Sequence, residues 1–245
     1  MTKFRPSILL TRPLAQAERF AEYCRAEFPE LPILISPILR IEVKPLSRSF
    51  DGVATLILTS ENAVLALASI GAKVTGLRAL CVGDRTAAAA RAIGLDATSA
   101  SGTADDLVEA VLATPDTGPL LHLRGAEARG EIAKRISAEG RQIDEAIIYE
   151  QMPEKLSPEA NLMLAGARSI VLPLFSPRSA ALLGIASERA SAPLRIVALS
   201  AAVVEHWSGP TPERLVVARE PNSAAMLHGV AQAIRKLKGS RAIDS

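Results

Sequence analysis

The chain has 245 residues, 49 % of them hydrophobic and 22 % charged, an ordinary globular mix of a length at which one core tends to become two. A net charge of +2 and 3 % aromatic residues argue against nucleic-acid binding, which needs a basic face or stacking platforms. The two cysteines, Cys24 and Cys81, make no disulfide framework or thiol-held metal, and no apolar run approaches the roughly 20 residues of a membrane-spanning helix.

In chain order, the short apolar run at 8–10 reads as a buried strand, too short for the core of a signal peptide, so a cytoplasmic protein is expected. Ala17, Phe20, Ala21, Cys24 and Phe28 then recur at the spacing of one helix face. Strands are expected at 32–36 and, extended between Pro37 and Pro45, at 38–43. After these come a strand at 54–58, a helix at 62–70, a strand at 79–82 and a helix at 85–93 stopped by Gly94. Thr103 caps a further helix whose buried face is Leu107, Val108 and Val111. A strand at 120–123 and a helix ending at Gly140 follow. The basic run at 235–241 reads as a solvated tail. Both cysteines fall among apolar residues and read as inert packing.

Strands that alternate with helices imply parallel sheets with crossover helices. The chain also repeats itself. The segment 56–63 resembles 172–179, each a strand, a serine and a helix start, and 78–83 matches 195–200. The helix after Thr103 matches the one after Asn222, while 121–125 resembles 9–13 at the start of the chain. The order predicts an α/β protein of two similar domains with parallel sheets flanked by helices, one inserted in the other. The first comprises 1–36 with 154–245 and the inserted one 46–145. Extended linker strands at 37–45 and 146–153 join them, and function is expected in the cleft where their loops face each other.

The sequence has no dinucleotide fingerprint, no phosphate-binding P-loop and no G-x-S-x-G nucleophile elbow. His122, His206 and His228 lack metal-ligand spacing, so no metal is expected. What remains is a set of strand-to-helix turns rich in Ser, Thr and Arg. They are Thr11-Arg12, Thr59-Ser60-Glu61-Asn62, Gly83-Asp84-Arg85-Thr86, Arg124-Gly125, Ser176-Pro177-Arg178-Ser179 and Ser200. Such turns gather at the carboxyl ends of parallel strands, where ligands bind and helix N-termini favour anions. Arg12, Arg85, Arg124 and Arg178 add charge-assisted partners for carboxylates or phosphates. Capping alone also explains Ser60, Thr86 and Ser176, each worth roughly 1 kcal/mol. The set as a whole suits a polyanion.

The ordered series Thr-Arg-Pro (11–13), Thr-Ser-x-Asn-Ala-Val (59–64), Val-Gly-x-x-Thr-Ala (82–87), Leu-Arg-Gly (123–125), Tyr149 and Phe-Ser-Pro (175–177) resembles the uroporphyrinogen-III synthase family over nearly the whole chain. The resemblance implies two α/β domains of the kind just deduced and the cyclisation of hydroxymethylbilane, a linear tetrapyrrole bearing eight carboxylates, without cofactor or metal. It implies Tyr149 and Thr86 as catalytic residues, Tyr149 assisting departure of the terminal hydroxyl. The substrate would be held by Thr11, Arg12, Ser60, Asn62, Gly83, Arg85, Arg124, Gly125, Ser176, Arg178, Ser179 and Ser200. In one place the chain departs from the family pattern, with Val203 standing where a second Gly-x-x-Thr run would place its threonine. A monomer acting on a small polycarboxylate, with no nucleic-acid or membrane partner, is the resulting expectation. The alternative is a non-catalytic two-lobed module that binds an acidic small molecule.

Overall fold

The computed structural model describes residues 5–46, 48–115, 118–127 and 130–235. It is an α/β protein whose sheets are dominated by parallel strands and flanked by helices. Its contacts divide it into two compact units, one drawn from Met1–Arg40 with Pro153–Ser245, the other spanning Ile41–Met152. Most of the basic run at 235–241 lies outside the described residues.

The continuous unit contains β4 (Thr55–Leu58), α2 (Glu61–Ser69), β5 (Arg78–Cys81), α3 (Asp84–Ala92), β6 (Asp96–Ser99), α4 (Ala104–Ala113), β7 (Leu120–Gly125) and α5 (Ile132–Ala138). Two strands cross the boundary between units, β3 (Leu39–Val43) and β8 (Ile143–Pro153). The sheet runs β3, β8, β7, β4, β5, β6. Alternation along each strand sorts the side chains onto two faces. Leu56, Leu58, Ala79, Cys81, Leu121 and Leu123 face α2 and α3. Ile57 and Leu120 face Leu107, Val108 and Val111 of α4 and Ile132 and Ile136 of α5. The helix ends follow local chemistry: Thr103 and Asp106 form a reciprocal capping box, and Gly94 and Gly140 turn the chain out at φ +90° and +80°.

The discontinuous unit contains β1 (Ser7–Leu10), α1 (Leu14–Glu27), β2 (Ile33–Ile35), α6 (Pro158–Leu164), β9 (Ile170–Leu174), α7 (Pro177–Ala186), β10 (Leu194–Ala198), α8 (Ala201–Glu205), β11 (Arg214–Val217) and α9 (Ser223–Ile234). Its five-stranded sheet runs β11, β10, β9, β1, β2. One face packs Leu172, Leu174, Ile196 and Ala198 with Ala180, Leu183 and Val203. The other packs Ile8, Leu10, Val171 and Val197 with Phe20, Cys24, Met226 and Val230.

The two ladders share one register. Thr55 pairs with Arg78 on one side and Leu120 on the other. Val171 pairs in the same way with Arg195 and Ile8. Thr55 and Val171 are therefore equivalent, as are Arg78 with Arg195 and Leu120 with Ile8. Counting along each strand makes Ser60 equivalent to Ser176, Gly83 to Ser200, Thr86 to Val203 and Arg124 to Arg12. In the discontinuous unit, the strand equivalent to β7 comes from the start of the chain.

Three stretches differ from the sequence expectation. The stretch expected as a linker strand at 146–153 begins earlier, at Ile143, and up to Tyr149 it is laddered to β7. It reads poorly because its first residues are charged and exposed. The edge strands β6 and β11 carry only four residues each and lie outside the expected set. Both cysteines are buried and unpaired, and burial pushes their thiols up, Cys24 to about 12 and Cys81 to about 11, which leaves them unreactive. No helix among the described residues is long and apolar enough to cross a membrane.

Candidate active site

Every residue singled out in the turns lies at or just beyond the carboxyl end of a strand, and the two units present separate rims.

In the continuous unit, β4 ends into Thr59 and Ser60. Ser60 is extended and its Oγ accepts from the Asn62 amide at 3.2 Å, so it caps α2. At the end of β5 the cap position is Gly83, which offers no side chain, and a Cβ built there would meet nothing within 4 Å. The first amides of α3 therefore stay uncovered by any side-chain cap. Thr86 is not a cap: it is the third residue of α3, in its first turn, with 6 % of its surface exposed. Arg85 beside it is exposed. At the end of β7 the ladder is irregular between Arg124 and Gly125, which brings Gly125 opposite Tyr149. The Tyr149 ring packs in the core of this unit, over Gly125.

Arg124 is already engaged. Its Nη1 donates to the carbonyls of Gly125 at 3.1 Å and Ala126 at 3.4 Å. Its Nε lies 3.0 Å from Glu145 Oε1, an ion pair in which the N–H is not aligned for a hydrogen bond.

In the discontinuous unit, Thr11 is buried at the end of β1, and the Arg12 guanidinium stacks 3.8 Å above the ring of Phe175. Phe175 meets Phe20 edge to face at 5.0 Å. An aromatic wall thus holds Arg12 in place, a feature visible only once β1 and β9 are side by side. Ser176 Oγ accepts from the Ser179 amide at 3.1 Å and donates to Ser179 Oγ at 2.9 Å, with Pro177 pre-set at the first helical position of α7. Arg178 is half-buried in the same turn. Ser200 starts α8 without a side-chain cap bond. Val203, where the sequence resemblance led to an expectation of threonine, is 1 % exposed and packs in the core.

One cluster escaped the sequence reading. His122 of β7 is 1 % exposed, with Nδ1 3.1 Å from Glu145 Oε1 and Nε2 3.4 Å from Thr59 Oγ1. Burial holds its imidazole below the usual range, opposed by the bond to Glu145. Thr59 follows β4 while His122 and Glu145 lie on β7 and β8, so no sequence spacing signals them.

Among the described residues no group of three or more His, Cys, Asp or Glu side chains could hold a metal ion. A cavity of about 560 Å³ in the continuous unit lies at the amino ends of β4, β5 and β6, lined by Arg78, Thr98, Val111 and Arg141, and is no part of this rim. What the rims can do is bind anionic groups and supply weak hydroxyl donors; none of their described residues forms a strong acid–base pair.

The fold is similar to that of two solved structures. The uroporphyrinogen-III synthetase of Helicobacter pylori aligns with a TM-score of 0.65 at 15 % identity, covering 94 % of this chain and 100 % of that one. A mutant uroporphyrinogen III synthase of Thermus thermophilus aligns with a TM-score of 0.50 at 15 % identity, covering 93 % and 98 %. No curated protein matches the sequence. The family model for uroporphyrinogen-III synthase HemD matches residues 18–228, most of the chain. The chain therefore belongs to the uroporphyrinogen-III synthase family, cyclising hydro-lyases of tetrapyrrole biosynthesis.

Proposed function

We propose that this chain closes hydroxymethylbilane to uroporphyrinogen III through the residues of its strand-end rims. The observation that carries this reading is the shared register, in which Ser60 matches Ser176 and Arg124 matches Arg12 at the strand ends of the two units. The substrate bears eight carboxylates. Arg12, Arg85, Arg124 and Arg178, with the amides at the starts of α2, α3 and α7, suit such a ligand. Thr11, Ser60, Asn62, Gly125, Ser179 and Ser200 shape the same edges.

The reaction removes the terminal hydroxyl as water, bonds the freed carbon to the substituted position of the last ring and inverts that ring through a spiro intermediate. The open chain closes unaided to the uninverted isomer. The enzyme's task is then to hold one folded conformation and stabilise charge as the hydroxyl leaves. In this reading Tyr149 donates a hydrogen bond to the departing hydroxyl, and Thr86 assists from the uncapped start of α3. Neither step needs a strong acid, in keeping with what the rims offer. On the same reading the protein is a cytoplasmic monomer that works without cofactor.

The test is to supply hydroxymethylbilane and separate the oxidised products by isomer. Type III porphyrin is expected. Type I alone, at the uncatalysed rate, would support the non-catalytic binding module instead.

A further inference from the structure

Thr59, just past the end of β4, His122 of β7 and Glu145 of β8 form a row of contacts at the rim of the continuous unit. With the ring 1 % exposed, both nitrogens of His122 must find partners inside the protein. A carboxylate only accepts, so Nδ1 carries the proton that meets Glu145. In the neutral ring Nε2 is then an acceptor, and the Thr59 hydroxyl is the group that faces it. That hydroxyl directs its proton inward and has only lone pairs to offer a ligand. Glu145 is held in turn by Arg124, which is clamped to the carbonyls of Gly125 and Ala126. The row is anchored at its Glu145 end and opens to the rim at Thr59.

We infer that His122 is a positioning residue that fixes Thr59 as a hydrogen-bond acceptor at the rim, and that its partner is a ring N–H of the substrate. Outward lone pairs repel a carboxylate and accept an N–H. The rim then divides its work: arginines and helix amides take the acidic side chains, and Thr59 takes the pyrrole. Holding a ring by its nitrogen sets its orientation, the variable that separates the inverted product from the uninverted one. The inference rests on the tetrapyrrole reading above.

The experiment compares Thr59→Val, Thr59→Ser, His122→Gln and the Thr59→Val/His122→Gln double variant in kcat, KM, product isomer ratio and thermal midpoint. Loss of one such hydrogen bond should lower kcat/KM about tenfold in Thr59→Val and raise the share of type I product. Thr59→Ser should restore most of that loss. In His122→Gln the amide can donate to Thr59 and turn its proton outward, so the isomer ratio should shift by a similar amount. Because the two residues act as one unit, the double variant should be no worse than the poorer single one. A His122→Gln protein that loses thermal stability but keeps wild-type kinetics and isomer ratio overturns the inference, as does an additive double variant. A wild-type protein that yields only type I product would sink the functional reading itself, a different outcome from indifferent variants of a working enzyme.

Discussion

Gly125 lies so close under the ring of Tyr149 that a Cβ added to it would stand 2.7 Å from Cζ, 2.8 Å from Cε2 and 3.0 Å from the hydroxyl oxygen. Real Cβ atoms do not approach that closely, so the ring must move or the strand must yield. The ladder irregularity between Arg124 and Gly125 creates the closeness, because it sets Gly125 directly across from Tyr149. Glycine is needed here for space rather than for an unusual backbone angle. Gly125→Ala should cost about 1–3 kcal/mol of stability as an overpacked core site, and turnover should fall with it as the hydroxyl is displaced. Urea unfolding and the isomer assay read the two effects, and unchanged turnover would mean that the position of Tyr149 does not matter.

Tyr149→Phe separates the ring from the hydroxyl. The ring supplies the packing, so stability and binding of uroporphyrinogen III, followed by equilibrium titration, should change little. Turnover should slow by roughly 10²-fold, the lower end of what a positioned proton donor contributes. Unaltered turnover would return Tyr149 to a purely packing role.

How legible these features are in the sequence depends on how far their determinants reach along the chain. Parallel strands buried on both faces are nearly continuous apolar runs, so 8–10, 54–58 and 120–123 announce themselves despite Thr55 and His122. The edge strand β6, Asp-Ala-Thr-Ser, is polar and short, and only its ladder to β5 makes it a strand. The motif turns are local, and folding sets them at strand ends. His122, Glu145 and Thr59 come together only through the order of β4, β7 and β8, and Arg12 meets Phe175 only because β1 lies beside β9. Nor does sequence tell a capping serine from an open one.

That last distinction is measurable. Ser60 and Ser176 both cap helices through their hydroxyls, whereas Ser200 does not. Ser60→Ala and Ser176→Ala should each lose about 1 kcal/mol, whereas Ser200→Ala should stay within about 0.5 kcal/mol of wild type. Chemical denaturation of the three variants decides the matter. Equal losses at all three positions would contradict the capping geometry.

Acid should expose the buried histidine. Burial holds folded His122 below the ordinary imidazole range, and Glu145 only partly offsets it. As pH falls below about 6.5, the unfolded chain takes up this proton before the folded one does. The contribution is therefore complete above that value and is lost as pH falls toward the folded pKa. Unfolding midpoints followed from neutral to mildly acid pH should decline more steeply for wild type than for His122→Gln. Parallel curves would show that folding leaves the proton affinity of His122 unchanged.

Val203 allows the departure from the family pattern to be tested directly. It holds the same register position in its unit that Thr86 holds in the other, yet the two surroundings differ. Thr86 follows an open glycine turn at the start of a nine-residue helix. Val203 follows Ser200 at the start of a five-residue helix and packs in the core with Leu172, Leu174 and Ile196. Restoring the family residue by Val203→Thr would swap a methyl for a hydroxyl in that apolar setting. Such a burial costs about 1–3 kcal/mol when no partner is supplied. The variant should therefore be less stable and no faster, as read by thermal unfolding beside the isomer assay. A faster enzyme would mean that a hydroxyl at this position reaches the substrate, and that its loss in this chain has slowed the reaction.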